Sequence, residues 1–288
     1  MYCSKTFVWK EHHVKRHKEQ HWFKLWITES YSVRQLSIIS GFSQAKLKRI
    51  IQYWLKQEPK ETIDLSQYKY LFYDGTYFHK NGCLICLMDA QEQKIISNIY
   101  TDKEGFKNTY PWFDALKQRG LNPDGVTMDG ELSVLRALRI TWPKIQIQRC
   151  LYHIQREGMR WLRSHPKTIA GHELRRLLST LCTVKSIKER NQFIYSFKQW
   201  LKLYNDFIKA LPNNNIAYKD LKRTIVLINN ALPDMFRYLE SPMSATTNTI
   251  ESFYSRLKAD YQRHRGLSVF NKIRYLKWYC HYKNSNTL

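Results

Sequence analysis

Tyr70-Leu71-Phe72-Tyr73-Asp74 is an apolar, strand-like run that ends on a carboxylate, and the reading of the whole chain turns on it. A strand is expected over residues 69–79. Gly82 turns the chain into a second strand at 83–90, and residues 94–101 give a third, so these three are expected to form an antiparallel meander. A helix follows over about 106–119, carrying Tyr110, Phe113 and Leu116 and stopping at Gly120. Val126-Thr127-Met128 is a short buried strand that again ends on a carboxylate, Asp129, followed by Gly130. Residues 131–141 read as helix through Leu132, Leu135 and Leu138, and residues 145–151 as a fifth strand.

Three meandering strands followed by two helix-strand steps is the order of a ribonuclease-H-like core, an α/β architecture with a mixed sheet. Residues 154–240 then read as helix almost throughout, with stretches near 172–182, 187–210 and 217–238. The expectation is a large all-helical insertion at about 155–243. Ser241-Pro242 breaks it, and helix resumes with Thr249-Ile250-Glu251.

A small helical domain, residues 1–60, is expected to precede the catalytic domain of residues 61–288. A short helix is expected over the Trp- and Phe-rich residues 20–29. Ser32, with Gln35 three residues on, is a capping-box pattern before Val33, Leu36 and Ile39. Gly41-Phe42-Ser43 reads as a turn into a second helix at about 44–56. That helix carries Leu47, Ile50, Ile51 and Trp54 on one face and Lys46, Lys48 and Arg49 outside it. Helix, glycine turn and basic helix form the helix-turn-helix pattern, whose second helix enters a DNA major groove. The competing reading is an ordinary helical hairpin.

Charge points the same way. Lys and Arg total 47 against 24 acids, a formal charge of +23, which suits a polyanionic partner. Residues 61–150 hold 11 of each sign, whereas residues 1–60 hold 12 bases against 4 acids and residues 151–240 hold 16 against 7. A neutral block with two of the key acids is thus flanked by basic ones, as expected of a catalytic core with DNA-gripping surroundings. No apolar run approaches the roughly 18–20 residues that span a bilayer. The scattered cysteines and the lack of a signal-peptide pattern lead to an expectation of a reducing, cytoplasmic, nucleoid-associated setting.

Asp74, Asp129 and Glu251 each interrupt an apolar segment of a basic protein, and acids in such places hold something positive. Their oxygens are hard ligands that favour Mg²⁺ or Mn²⁺ over zinc. Two such ions about 3.5–4 Å apart would serve an in-line phosphoryl transfer.

On these residues the chain resembles the DDE transposases of bacterial insertion sequences, in particular the Mutator-like group. The matching pieces are Tyr73-Asp74-Gly75-Thr76, Met128-Asp129-Gly130, Gln148-Arg149-Cys150-Leu151-Tyr152-His153, and Thr247-Asn248-Thr249-Ile250-Glu251-Ser252 with Lys258 seven residues beyond the glutamate. The resemblance covers about residues 68–283. It implies a ribonuclease-H-like fold, two Mg²⁺ or Mn²⁺ ions on Asp74, Asp129 and Glu251 as metal-binding catalytic acids, and strand cleavage and transfer of a mobile element. It implies double-stranded DNA partners, element ends and target, with the protein forming a homo-oligomer on DNA. Lys258 is expected beside a DNA phosphate, with Arg256, Arg263, His264 and Arg265 extending the basic surface. Cys150 and His153 are a family feature near the active site, expected as a buried thiol and a hydrogen-bonded imidazole that position the strand end.

Zinc is not expected at Cys150 and His153, because a structural site needs four ligands and no second pair is correctly spaced. Cys83 and Cys86 lie within an apolar strand and read as core. His13, His17 and His21 recur on one helical face and read as solvated bases. Tyr2-Cys3-Ser4-Lys5-Thr6-Phe7 looks like the last knuckle of a zinc ribbon, so the chain is expected to be a truncated copy or to start at an internal methionine. Two other functions fit less of the chain. One is a catalytically inactive, transposase-derived DNA-binding protein. The other is a resolvase-type nuclease, which leaves the insertion and the Cys-x-x-His unexplained.

Overall fold

The structure, a computed structural model, describes residues 11–61, 64–78 and 82–284. The knuckle-like segment around Cys3 lies outside them. Three helices open the described chain: α1 (Glu11–Thr28), α2 (Val33–Ser40) and α3 (Gln44–Leu55). The aromatic stretch expected as a short helix at 20–29 is the second half of α1. Ser32 caps α2 with the reciprocal bonds of a capping box to Gln35. Gly41 ends α2 at φ +70°, a left-handed conformation that glycine adopts without steric cost. Ser43 then caps α3 by accepting from the Lys46 amide.

The sheet holds β1 (Tyr70–Tyr77), β2 (Cys83–Asp89), β3 (Ile95–Thr101), β4 (Gly125–Met128) and β5 (Gln146–Arg149) in the order β3-β2-β1-β4-β5. The β1–β2 and β2–β3 pairs are antiparallel; β1–β4 and β4–β5 are parallel. Two helices, α4 (Phe106–Gln118) and α5 (Leu132–Thr141), make the crossovers to β4 and β5. The fifth strand stops at Arg149, short of the expected 151. Cys150 turns the chain and serves as N-cap of α6 (Leu151–Leu162), so the helical region begins at 151 and not near 155.

The region continues through α7 (Ile169–Ser179), α8 (Ile187–Ala210) and α9 (Ile216–Ala231). The helix expected to run to 238 ends at Ala231. Pro233 has no N–H to continue the ladder, and two 3₁₀ turns, Leu232–Asp234 and Arg237–Leu239, replace it. Last come α10 (Asn248–Gln262) and α11 (Val269–Asn284).

Alternation along the strands sorts the core into two layers. Leu71, Tyr73, Cys83, Ile85, Val126 and Met128 face α4 and α5, packing on Phe113, Leu116, Val134 and Leu138. Phe72, Leu84, Cys86 and Met88 face the other way. They share a core with Ile250 and Phe253 of α10, Tyr275, Trp278 and Tyr279 of α11, and Phe23, Trp26, Leu36 and Leu47 of α1–α3. The first three helices therefore pack into the same core as one face of the sheet. Cys83 and Cys86 are both buried, one in each layer, as expected of core residues. Helices α6–α9 have a core of their own, built on Ile154, Leu174, Phe197, Leu221 and Ile228.

Candidate active site

Register decides where the acids point. Asp74 lies two residues beyond Phe72, so it shares the face covered by α10, and its Cα pairs with that of Cys86. Asp129 directly follows Met128 on the neighbouring parallel strand, where β1 and β4 pair through Phe72 and Thr127. On the same face as Asp129, Thr127 Oγ1 donates to the Ser244 carbonyl at 3.0 Å. The Leu151 amide donates to the Ala245 carbonyl at 2.9 Å. These bonds lay the segment before α10 across the strand ends. The Tyr254 hydroxyl then donates to the Asp74 carbonyl at 2.6 Å, fixing α10 against β1 and bringing Glu251 to the site.

All three acids are half-buried. Burial first, then the charges of Asp129 and Glu251, pushes the Asp74 carboxyl well above the usual carboxylate range. The Gly75 amide and His153 oppose that shift. Asp129 is held from behind. Its Oδ1 accepts from the Glu131 amide at 3.2 Å, and its carbonyl accepts from Arg149 Nε at 3.1 Å. The Arg149 guanidinium is buried and lies over Gly130, where a Cβ would fall 1.8 Å from it. Gly130 also sits at φ +99°, so both space and backbone require glycine there.

Glu251 occupies the first turn of α10 and stands with the Cys-x-x-His pair. Thr247 Oγ1 is at the centre of the group: 2.9 Å from Glu251 Oε1, 3.3 Å from Cys150 Sγ and 3.5 Å from His153 Nδ1. The Thr247 amide also donates to Cys150 Sγ at 3.4 Å, and His153 Nδ1 is 3.6 Å from Glu251 Oε1. Burial raises the Cys150 thiol, but hydrogen bonds from His153 and Thr247 outweigh it and leave the thiol below its ordinary range. Burial lowers His153, and the neighbouring Cys150, Glu251 and Asp129 outweigh that and leave it above an ordinary imidazole. Among the described residues, Cys150, His153 and Glu251 are the His, Cys, Asp and Glu side chains whose ligand atoms come within one ion's reach of each other. Asp74, Asp129 and Glu251 surround the same region without converging that closely.

Three neighbours carry no signal in the sequence. Thr247 and Arg149 lie inside quoted motifs but have no chemical pattern of their own. Glu104 is one of several charges in a loop, and only the fold places it. Its carboxylate accepts from the Tyr73 hydroxyl at 2.6 Å and lies over Gly75, where a Cβ would meet Oε2 at 2.9 Å. Burial, opposed by the Tyr73 bond and assisted by Asp129 and Glu131, raises Glu104 to about 7.

That shift has a definite sign. The folded state holds the Glu104 proton more tightly than an ordinary glutamate, whose value is 4.5. The stability it contributes is full below about 4.5 and is lost as the pH rises through about 7. Glu104→Gln therefore gains on the native chain as the pH rises through that window, by a few degrees of midpoint. Thermal unfolding of both proteins across the window checks this; parallel pH profiles would place Glu104 in solvent.

The expected DNA contacts are mostly solvent-facing. Lys48, Arg49 and Arg256 are exposed, and Lys46 is half-buried with Nζ 3.4 Å from the Phe42 ring centroid. Lys258 is half-buried, its Nζ 5.9 Å from the Phe78 ring centroid. His264 is a correction. It does not extend the basic surface, because it is buried against Trp26 with ring centroids 4.4 Å apart, and burial lowers its pKa. His17 and His21 are exposed on α1, as solvated bases are, and His13 lies outside the residues whose side chains are described. Among the described residues, no helix is long and apolar enough to cross a membrane.

No protein-family model and no curated protein matches the chain. Among solved structures, the chain is similar to one from a cryo-electron microscopy structure of the simian T-cell lymphotropic virus intasome in complex with the PP2A regulatory subunit B56 gamma. The identity is 13%, covering 58% of this chain and 70% of that one, at a TM-score of 0.24. A likeness of that size carries no functional argument.

Proposed function

We propose that the chain is a metal-dependent DNA strand-cleaving and strand-transfer enzyme of the DDE transposase kind, with Asp74, Asp129 and Glu251 as its catalytic acids. The observation that carries this reading is the placement of Asp74 on β1 beside the end of β4, which leads into Asp129, with α10 and its Glu251 fixed against β1 by Tyr254. Mutually repelling carboxylates from β1, the end of β4 and α10 suit a cation as their common partner. The strand order β3-β2-β1-β4-β5, antiparallel then parallel, agrees with the ribonuclease-H-like core expected from the sequence. The net charge of +23 agrees with a nucleic-acid substrate.

The donor chemistry, carboxylate oxygens alone, suits a hard divalent ion such as Mg²⁺ or Mn²⁺: Asp74 and Asp129 would hold it, with Glu251 drawn in from α10 to complete the set. When bound, such ions supply Lewis acidity to the attacking and leaving oxygens of a phosphodiester. The chain supplies the positioning. Tyr254 pins the backbone at Asp74, Arg149 and Glu131 pin Asp129, and Thr247 orients Glu251. Arg256 and Lys258 on α10 offer positive charge to the flanking phosphates. The basic outer face of α3, behind the Gly41 turn, serves as a DNA-reading helix with Lys46, Lys48 and Arg49.

The purified chain is expected to nick plasmid DNA in Mg²⁺ or Mn²⁺, to stop in EDTA, and to bind DNA with an affinity that falls steeply as salt rises. DNA binding without metal-dependent nicking would favour the inactive, transposase-derived alternative.

A further inference from the structure

We propose that Cys150, His153 and Glu251 form a binding site for a thiophilic divalent ion of the zinc type, with one coordination position open to solvent. Sequence spacing offers only a Cys-His pair, two ligands short of a structural site. The fold adds a third ligand from another element. Cys150 is the N-cap of α6, His153 lies in the first turn of that helix, and Glu251 lies in the first turn of α10. Three protein ligands plus an open position is the pattern of reactive rather than purely structural zinc sites.

The geometry suits such an ion. Two atoms each about 2.1 Å from a tetrahedral centre are about 3.4 Å apart. His153 Nδ1 and Glu251 Oε1 are 3.6 Å apart, and the three ligand atoms all lie within 4.8 Å of one another. Sulfur, imidazole nitrogen and one carboxylate favour zinc over magnesium, which takes oxygen donors. The two helix N-termini that meet here favour the thiolate and the carboxylate, the charged forms that bind metal. Thr247 Oγ1 contacts all three ligand atoms, at 2.9 Å from Glu251, 3.3 Å from Cys150 and 3.5 Å from His153, so an entering ion takes over these hydrogen bonds and the hydroxyl moves aside. An entry path exists, because the His153 and Glu251 side chains are 20% and 29% exposed while Cys150 closes the inner side.

Binding displaces the Cys150 thiol proton to solvent and forms a metal–sulfur bond, with no change of oxidation state. An ion seated here engages Glu251, which the proposed hard-ion set also uses. Soft and hard ions would then compete for one carboxylate, a consequence that rests on the proposed function; the site itself does not.

Cobalt(II) titrated into the full chain, without DNA, tests the site. One equivalent is expected to give a sulfur-to-cobalt charge-transfer band that zinc removes and Mg²⁺ does not. The band is expected to vanish in Cys150→Ser and to survive in Asp74→Asn and in Cys182→Ser, which removes an exposed thiol. Glu251→Gln is expected to weaken cobalt binding at least about tenfold. No thiolate band with the native chain, or a band that persists in Cys150→Ser, overturns the proposal. Should Cys150→Ser fail to fold by circular dichroism, Glu251→Gln and His153→Gln decide it: unchanged cobalt affinity in both also overturns it. Because no DNA is present, loss of this site and loss of the nuclease reading are separate results.

Discussion

Asp74→Asn, Asp129→Asn and Glu251→Gln are each expected to cut metal-dependent nicking by at least about a hundredfold while leaving DNA binding largely intact. Each change removes a negative charge and keeps the side chain's shape. The stability result should run the other way for Asp74. Its carboxyl is raised by burial and by Asp129 and Glu251, so the folded chain loses stability at Asp74 as the pH rises above the usual carboxylate range. Asp74→Asn should melt at or above the native temperature while losing activity. A residue kept against the folded state's preference is what a catalytic role leaves behind. Plasmid nicking and thermal unfolding of the same three preparations check both parts. Nicking that persists in all three variants, or that EDTA does not touch, would remove the acids from the chemistry. An Asp74→Asn protein that melts well below the native chain would make Asp74 a structural residue.

The second large effect is expected at Phe23. Its ring is fully buried and meets Trp26 of its own helix, Trp54 of α3, and Trp278 and Tyr282 of α11. Phe23→Ala removes the ring that joins these helices and should cost about 3–5 kcal/mol. The same core includes Phe72, Leu84 and Met88 of the sheet and Ile250 and Phe253 of α10. The loss should therefore be felt beyond the first three helices, and with it the support that brings Glu251 to the strands. Urea unfolding followed by far-ultraviolet circular dichroism and by tryptophan fluorescence measures this. Two separate transitions, with only the fluorescence one shifted, would show that α1–α3 unfold on their own.

Much of the fold is legible because its signals are local. Short apolar runs bounded by turns place β1, β2 and β3 to within about two residues, since a strand between two packed layers buries side chains on both faces. Ser32 with Gln35, Gly41 and Ser43 mark α2 and α3 because capping and left-handed turns are chemistry of adjacent residues. Pro233 is the local signal for the end of α9, and the helical periodicity that runs past it misleads. His264 is deceptive for a different reason. An Arg-His-Arg run carries no sign that its middle residue turns inward onto Trp26.

At the candidate site, the order of residues already shows which side chains are unusual: acids ending apolar strands, and a Cys-x-x-His opening a helix. It does not show which of them meet. The sheet register settles that in part, by turning Asp74 towards α10. The bonds from Thr127 and Leu151 add to it, by carrying the chain from Ser244 to Thr247 across the strand ends. Thr247 completes the arrangement, joining Cys150, His153 and Glu251 across nearly a hundred residues of chain. Side-chain type is a property of one residue and is readable in one dimension. Ligand sets and pKa shifts are sums over neighbours within a few ångströms, and those neighbours exist only once the chain has folded.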